Sequence, residues 1–427
     1  MASQRYDQLH RLYEEFDTET LRSHQRFVDL FPPVDSPVAL SHWEEASDEL
    51  GRLKAEIAAR LTPSDEVTEG ETFAEIAARV DHDQAFTALD LHSSYGRAVN
   101  ALVLDVDETL RSAGGTDNEI PRETLHALIE FHEVGVPIII CTGQTLENVK
   151  GFMIQGLGSE IVHSGNLSIV YEAGTGVFTP GHGSETKQLL YEGLDSEIQD
   201  IFDSVRSRVL PEAPEEIRRG CHLQGNEFNI TLKPNFETGS DRAASVIDAG
   251  LVYMIDLLAK AIGIAVDTDA VDDVDSSLSA LARAYYAEAD PEIHEVLASE
   301  NALPDCTVDD VPAALGSVFD RIDVAYYHAD AAEIGSLELN KAAGVESALE
   351  VVGVDDPFVL VMGDSKSDLR VMEWVDTDDC GLSAAPEHAS EDVLAHVRAT
   401  DGLVFDRGAS GSMLQTIYVC NLLAELD

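Results

Sequence analysis

The sequence predicts an α/β protein in which an open parallel sheet is split by a smaller α+β domain and preceded by a helical region. Three observations carry that expectation. Residues 1–95 space their apolar residues by three and four with no strand signal, and short apolar runs at VNALVLDV, VPIIICT and DPFVLVMGD bracket helical stretches. The long segment between the second and third runs changes texture and alternates apolar with polar residues.

In the helical region, LHRLYEEF, SHWEEASDELGRLKAEIAARL and ETFAEIAARVDHDQAFTALDL carry the helical spacing, punctuated by Pro32, Pro33, Pro37 and Pro63. Residues 1–95 are expected as a packing or dimerisation arm, a surface through which a homo-oligomer would form. A core begins with residues 96–169. Val99 opens a buried strand, a helix follows from Pro121 through LHALIEFHEVG, and VPIIICT is the next strand, so the three make a βαβ unit. Residues 336–427 form the second part of the core. There the helix NKAAGVESALEVVG precedes the strand DPFVLVMGD, and GLSAAP and GLVFD add further strands.

The inserted segment, residues 170–335, is expected to be an α+β cap. GNEFNITLKPNF reads as a half-exposed strand, DRAASVIDAGLVYMIDLLAKAIG as a helix, and RIDVAYYHAD with AEIGSLEL as a strand pair. The acidic DTDAVDDVDSS within it superficially follows an EF-hand loop. Val271 at the fifth position and Asp272 in place of the sixth-position glycine make it a solvated insertion rather than a calcium site.

Charge narrows the classes of function. With 80 acidic and 27 basic residues in 427, the formal charge is −53, and a phosphate backbone would be repelled, so nucleic acid is excluded as a partner. The 44% apolar content excludes wholesale disorder. Only seven lysines are present. The composition resembles that of cytoplasmic proteins from salt-loving archaea, in which molar salt cuts the Debye length to about 3 Å and screens self-repulsion. An acidic protein from an ordinary cytoplasm is the alternative. The first thirty residues lack the apolar stretch of a signal peptide, and Asp256 and Lys260 interrupt the longest apolar run, so no membrane span is expected. Five widely spaced cysteines suggest neither disulfides nor zinc and fit a reducing cytoplasm.

Four segments carry chemistry, each where a strand or helix meets a crevice. Asp105 and Asp107 leave the first strand, one able to attack phosphorus and the other to move protons. Thr142 and Gly143 follow the second strand and offer a hydroxyl and main-chain amides to phosphoryl oxygens. Lys341 starts a helix and would balance phosphoryl charge. Asp364 and Asp368 follow the strand ending at Gly363; with Asp105 and a carbonyl near Asp107, Asp364 supplies the hard oxygens that Mg2+ prefers, and Asp368 would orient a metal-bound water.

DVDETL, CTGQT, Lys341 and GDSKSD resemble, in order and spacing, the four motifs of the haloacid-dehalogenase-like (HAD) hydrolase superfamily. The resemblance covers about residues 98–410 and implies a Rossmann-like core. It makes Asp105 the nucleophile and a metal ligand, and Asp107 the general acid/base and a ligand through its carbonyl. Thr142 and Lys341 become phosphoryl holders, with Asp364 and Asp368 on the Mg2+ side. An insertion between the second and third motifs is similar to the Cof-type (class IIB) cap, so the implied activity is hydrolysis of a small phosphate ester, expected to be a sugar phosphate. A phosphomutase of the same fold, or a non-catalytic binding protein, are the alternatives. Gln144 replaces a frequent arginine and Ser367 a frequent asparagine of that pattern. Arg218, Arg219, Asn229 and Lys233 are the candidate substrate-selecting residues of the cap.

Overall fold

A computed structural model describes residues 2–31, 36–61, 67–111, 119–226, 228–265 and 277–426. The expectations for Pro32, Pro33, Pro63 and the acidic run with Val271 and Asp272 lie outside the described residues.

Among the described residues the core sheet has eight strands. In chain order these are β1 (Ala101–Leu104), β2 (Ile138–Cys141), β3 (Leu167–Tyr171), β4 (Gly176–Phe178) and β5 (Gln188–Leu189). A second sheet holds β6 (Cys221–Asn226), β7 (Asn229–Pro234), β8 (Ile322–Tyr327) and β9 (Ala331–Ser336). The chain then returns to the core with β10 (Val359–Met362), β11 (Gly381–Pro386) and β12 (Leu403–Phe405). The core order is β12-β11-β10-β1-β2-β3-β4-β5, parallel from β12 to β3 and antiparallel at β4 and β5. β1 therefore lies at the centre, with Leu102 in register with Leu360 on one side and Ile138 on the other.

Every residue of β1, β2 and β10 is buried because helices cover both faces of the sheet. Alternate residues divide between two clusters. Val103, Ile139 and Val361 face the helices Lys341–Val352 and Lys366–Thr377, whereas Leu102, Ile138 and Leu360 face the other layer. That second layer includes the N-terminal helices. Leu9, Leu12, Leu21, Phe73 and Ile76 share one hydrophobic cluster with Leu102, Phe131 and Leu414. The Arg79 guanidinium donates to Glu130 at 2.9 Å, and Asn421 bonds both the amide and the carbonyl of Val99. Among the described residues the N-terminal region forms five helices, and these pack as a layer of the core.

The cap boundary also moves. The expected start at residue 170 falls inside β3, and β4 and β5 extend the core sheet, so the cap begins with the helix Ser196–Arg208. Its sheet runs β6-β7-β9-β8, antiparallel throughout. One face, with Ile230, Leu232, Val324 and Ile334, shares a cluster with Met254 and Leu258 of the long helix Ser240–Ala265. The opposite face looks into the cleft between cap and core. No helix among the described residues is long and apolar enough to cross a membrane.

Candidate active site

Because β1 and β10 are neighbours, the residues that leave them meet at the carboxyl edge of the sheet. The Asp105 amide donates to the Met362 carbonyl at 2.9 Å, setting Asp105 beside Gly363 and Asp364. A Cβ on Gly363 would lie 2.3 Å from the Cβ of Asp368, so glycine alone lets the next helix bring Asp368 back against the strand end. Ser365 caps that helix reciprocally: its amide and hydroxyl donate to Asp368 Oδ2 at 3.1 and 2.7 Å. Ser367, the departure from the family pattern, bonds the Ser365 hydroxyl at 2.9 Å and so supports the same turn.

Lys341 arrives from the other side. It is the first residue of its helix, whose cap Asn340 accepts from the Ala343 amide at 3.1 Å. Gly174, at φ +97°, packs so close that a Cβ would stand 2.0 Å from the Asn340 carbonyl oxygen, which seats this helix end against the loop after β3. The buried Lys341 Nζ donates to Asp105 Oδ1 at 2.8 Å and to Asp368 Oδ1 at 2.5 Å. Residues 236 and 27 positions away in sequence thus share one ammonium.

The carboxylates of Asp105, Asp364 and Asp368 come within 4.8 Å of one another. Burial pushes the Asp105 carboxyl well above its usual range; Lys341 opposes this, and Asp368 and Asp364 add to it. Asp364 is pushed up to about 7, first by burial and then by Asp368, with Lys341 acting the other way. For Lys341, burial favours loss of the proton, but Asp105 and Asp368 outweigh it and raise its pKa well above normal. Three acids around one ammonium make an oxygen-rich, electron-rich pocket, which suits a hard divalent cation such as Mg2+.

Asp107 stands outside this cluster. Its half-exposed carboxylate takes Arg111 on Oδ1, at 2.9 Å from Nε and 2.7 Å from Nη2, and Gln144 Nε2 on Oδ2 at 2.6 Å. Arg111 also lies over the Phe152 ring, 4.5 Å from its centroid, so its plane is fixed. The residue after Asp107, Glu108, adopts φ +59°, uncommon for a side-chain-bearing residue. Its carboxylate accepts from His388 and Arg407, tying the turn to the segments after β11 and β12.

Thr142 is buried at the end of β2. Its amide donates to Val170 at 2.9 Å and its hydroxyl accepts from the Gln144 amide at 3.2 Å. Gly143 is exposed, with open space where a Cβ would be.

The structure thus gathers Asp105, Asp364, Asp368 and Lys341 directly, and sets Asp107, Thr142 and Gly143 on the adjoining strand ends. The side chain of Asp107 does not join the carboxylate cluster, because Arg111 and Gln144 hold it aside. Arg111, four residues after Asp107, was missed by motif reading although its spacing was a legible signal. Glu108, His388 and Arg407 were also missed, and their meeting depends on tertiary structure alone.

A cleft of about 580 Å³ opens from Lys341 between core and cap. Two cations of the core helix Lys366–Thr377 span it: Lys366 Nζ lies 2.7 Å from Glu292, and Arg370 pairs with Asp323. Of the four residues expected to select substrate, only Asn229 lines this cleft. Arg218 and Arg219 are exposed on the short helix Glu215–Gly220, where Arg219 pairs with Glu215, and Lys233 pairs with Asp330. Lys233 alternates in register with Asn229 and Thr231 but lies beyond the walls of the cleft.

Residues 288–402 match the family of haloacid dehalogenase-like hydrolases. No protein of curated function matches the chain by sequence at a significant level. Among solved structures, the sucrose-phosphatase of Synechocystis, solved with sucrose and phosphate, is 11% identical at a TM-score of 0.42, covering 76% of this chain and 99% of its own. The trehalose-6-phosphate phosphatase of Aspergillus fumigatus is 14% identical at 0.40, covering 78% and 97%. A protein from Plasmodium vivax described as HAD/COF-like is 14% identical at 0.44, covering 80% and 100%. The matched segment carries Lys341, Asp364 and Asp368 and leaves the Asp105 and Thr142 strands outside it. The likeness to the haloacid dehalogenase-like hydrolases is thus carried by residues 288–402, the part of the chain that includes Lys341, Asp364 and Asp368.

Proposed function

We propose that the chain is a Mg2+-dependent phosphatase that hydrolyses a small phosphate ester through an aspartyl-phosphate on Asp105. The observation that carries this reading is the Lys341 ammonium held between Asp105 and Asp368 at 2.8 and 2.5 Å, with Asp364 in the same cluster. Asp105, Asp364 and Asp368 would hold the cation, with the main chain at Asp107 as a further oxygen source. Mg2+ there supplies positive charge that offsets the mutual repulsion of carboxylate and phosphate.

Lys341 contacts only Oδ1 of Asp105, so Oδ2 has no hydrogen-bond partner among the described residues and is the oxygen to attack phosphorus. As the P–O bond of the ester breaks, its electron pair goes to the leaving oxygen. Asp107, released from Arg111 or Gln144, supplies the proton there and later takes one from the attacking water. Thr142 and Lys341 hold phosphoryl oxygens in place.

Work in a cytoplasm at high salt belongs to the same proposal; it is supported by the acidic composition and by five cysteines that are all unpaired. Release of phosphate from para-nitrophenyl phosphate in concentrated KCl with Mg2+ tests the reading. Acid-quenched wild-type protein should carry a hydroxylamine-labile phosphoryl group, and Asp105→Asn should carry none. Turnover by Asp105→Asn at the wild-type rate would mean that water attacks directly.

A further inference from the structure

The cap sheet presents one face to the cleft. Strand alternation puts Asn229 and Thr231 of β7, Asp323 and Tyr327 of β8, and Glu333 of β9 on that face, opposite the apolar residues that pack on the cap helices. Ala325 and Gly335 share the face and leave room in front of it. All of these but Thr231 line the cleft that leads to Lys341.

Glu333 is the unusual member. Thr231 sits directly across from it in the β7–β9 register. Its Oε1 accepts from Asn229 Nδ2 and its Oε2 from Thr231 Oγ1, both at 2.8 Å. An ionised carboxylate has about four lone-pair sites, so each oxygen retains acceptor capacity. No cation lies within ion-pair distance of Glu333 among the described residues. The three cations of the cleft are committed elsewhere: Lys341 to Asp105 and Asp368, Lys366 to Glu292, Arg370 to Asp323. Burial pushes the Glu333 carboxyl up while Thr231 and Asn229 favour its ionised form. A surface rich in acid for the sake of solubility does not account for a half-buried carboxylate facing the cleft with both oxygens bonded to neighbouring side chains.

The cleft walls carry seven carboxylates against these three paired cations. A second anionic group on the ligand would find no free cation and would meet carboxylates instead. Hydroxyl or ammonium donors would find the open acceptors of Glu333.

We infer that Glu333 selects the substrate: it receives hydrogen bonds from the non-phosphate part of the ester, so the substrate class is a phosphomonoester whose leaving group is donor-rich and neutral or cationic, and esters with a second anion are excluded. This rests on the phosphatase reading. It also separates hydrolysis from mutase chemistry on a bisphosphorylated sugar, for which the described residues of the cleft offer no unpaired cation to a second phosphate.

Steady-state kinetics on four esters test it: para-nitrophenyl phosphate, glycerol phosphate, phosphoethanolamine and phosphoglycolate. The wild-type protein should favour glycerol phosphate and phosphoethanolamine over phosphoglycolate by ~10-fold or more in kcat/KM, about the cost of one unmatched charged hydrogen bond. Glu333→Gln should shrink that preference ~10-fold, acting more on the donor-bearing esters than on para-nitrophenyl phosphate. Glu333→Lys should reverse it toward phosphoglycolate, and thermal unfolding of both variants checks that they fold. Equal use of phosphoglycolate by the wild type overturns the inference, as does an equal loss on all four esters in folded Glu333→Gln. Absence of turnover on every ester, para-nitrophenyl phosphate included, is the distinct result that removes the phosphatase reading and this inference with it.

Discussion

Gln144 Nε2 donates to Asp107 Oδ2 at 2.6 Å, joining the loop after β2 to the loop after β1. The backbone amide of the same residue donates to the Thr142 hydroxyl, so one residue links Thr142, proposed to hold phosphoryl oxygens, to Asp107, proposed to move protons. Gln144→Leu removes the donor while nearly keeping the shape. Its kcat should fall ~10- to 100-fold, the size expected for loosening a catalytic group, with KM changed little. Equal kcat for variant and wild type would show that Gln144 is only a spacer.

Asp105 and Asp107 should separate by the step they affect. Asp105→Asn loses the attacking oxygen and should form no phosphoenzyme. Asp107→Asn should still label from para-nitrophenyl phosphate, whose leaving group needs little help from an acid, but should dephosphorylate ~10²- to 10⁴-fold more slowly. Rapid-quench labelling reads both. Trapping of phosphoenzyme at the wild-type level but with wild-type decay in Asp107→Asn would reassign the base.

The N-terminal helices should not be separable from the core. Phe73 and Ile76 are fully buried in the cluster that contains Leu102 and Phe131, so deleting residues up to His92 strips one face of the sheet layer. The truncated chain should be insoluble or unfolded, rather than folded and active as a dispensable arm would be. Phe73→Ala should cost ~3–5 kcal/mol in denaturant unfolding, in line with large-to-small changes in a packed core. A soluble truncation with a cooperative melt would restore the detached arm.

What the sequence made legible follows from burial. Four-residue runs such as ALVL and VLVM can only be central strands when both faces are covered, so β1, β2 and β10 and the residues just beyond them were readable, and Asp105, Asp364 and Thr142 came with them. β4 and β5 have three and two residues, too few to show a period, and the cap boundary was set too early as a result. Amphipathic helices show that one face is covered but not by what, which is why the N-terminal layer read as an arm. Glu333 sits in AAEIGS, a stretch of small residues with a weak alternation; its meeting with Asn229, 104 positions away, exists only in the folded cap.

Salt should stabilise the protein throughout. At −53 the carboxylates repel over most of the surface, and raising KCl from ~0.1 M to above ~1 M shortens the Debye length from about 10 Å to about 3 Å. Tm by scanning calorimetry should climb over that range. A Tm independent of KCl would leave the catalytic assignments standing and refute the halophilic one.

Asp364→Asn should give two changes of opposite sign, a stronger test of the metal site than loss of activity. In the metal-free protein, Asp364 is half-buried beside Asp368 and Asp105 with Lys341 committed to the other two, so its charge is a liability. Neutralising it should raise the metal-free Tm. The same change removes a hard oxygen ligand, so the further stabilisation that the wild type gains from Mg2+, about 2.7 kcal/mol at a hundredfold excess over Kd, should largely vanish. The gap between the two melting temperatures, each taken in EDTA and in Mg2+, should therefore shrink or reverse on adding metal: variant above wild type without metal, wild type closing the gap or passing it with metal. A variant less stable than wild type in EDTA would show that the Asp364 carboxylate is structural in its own right rather than waiting for a cation.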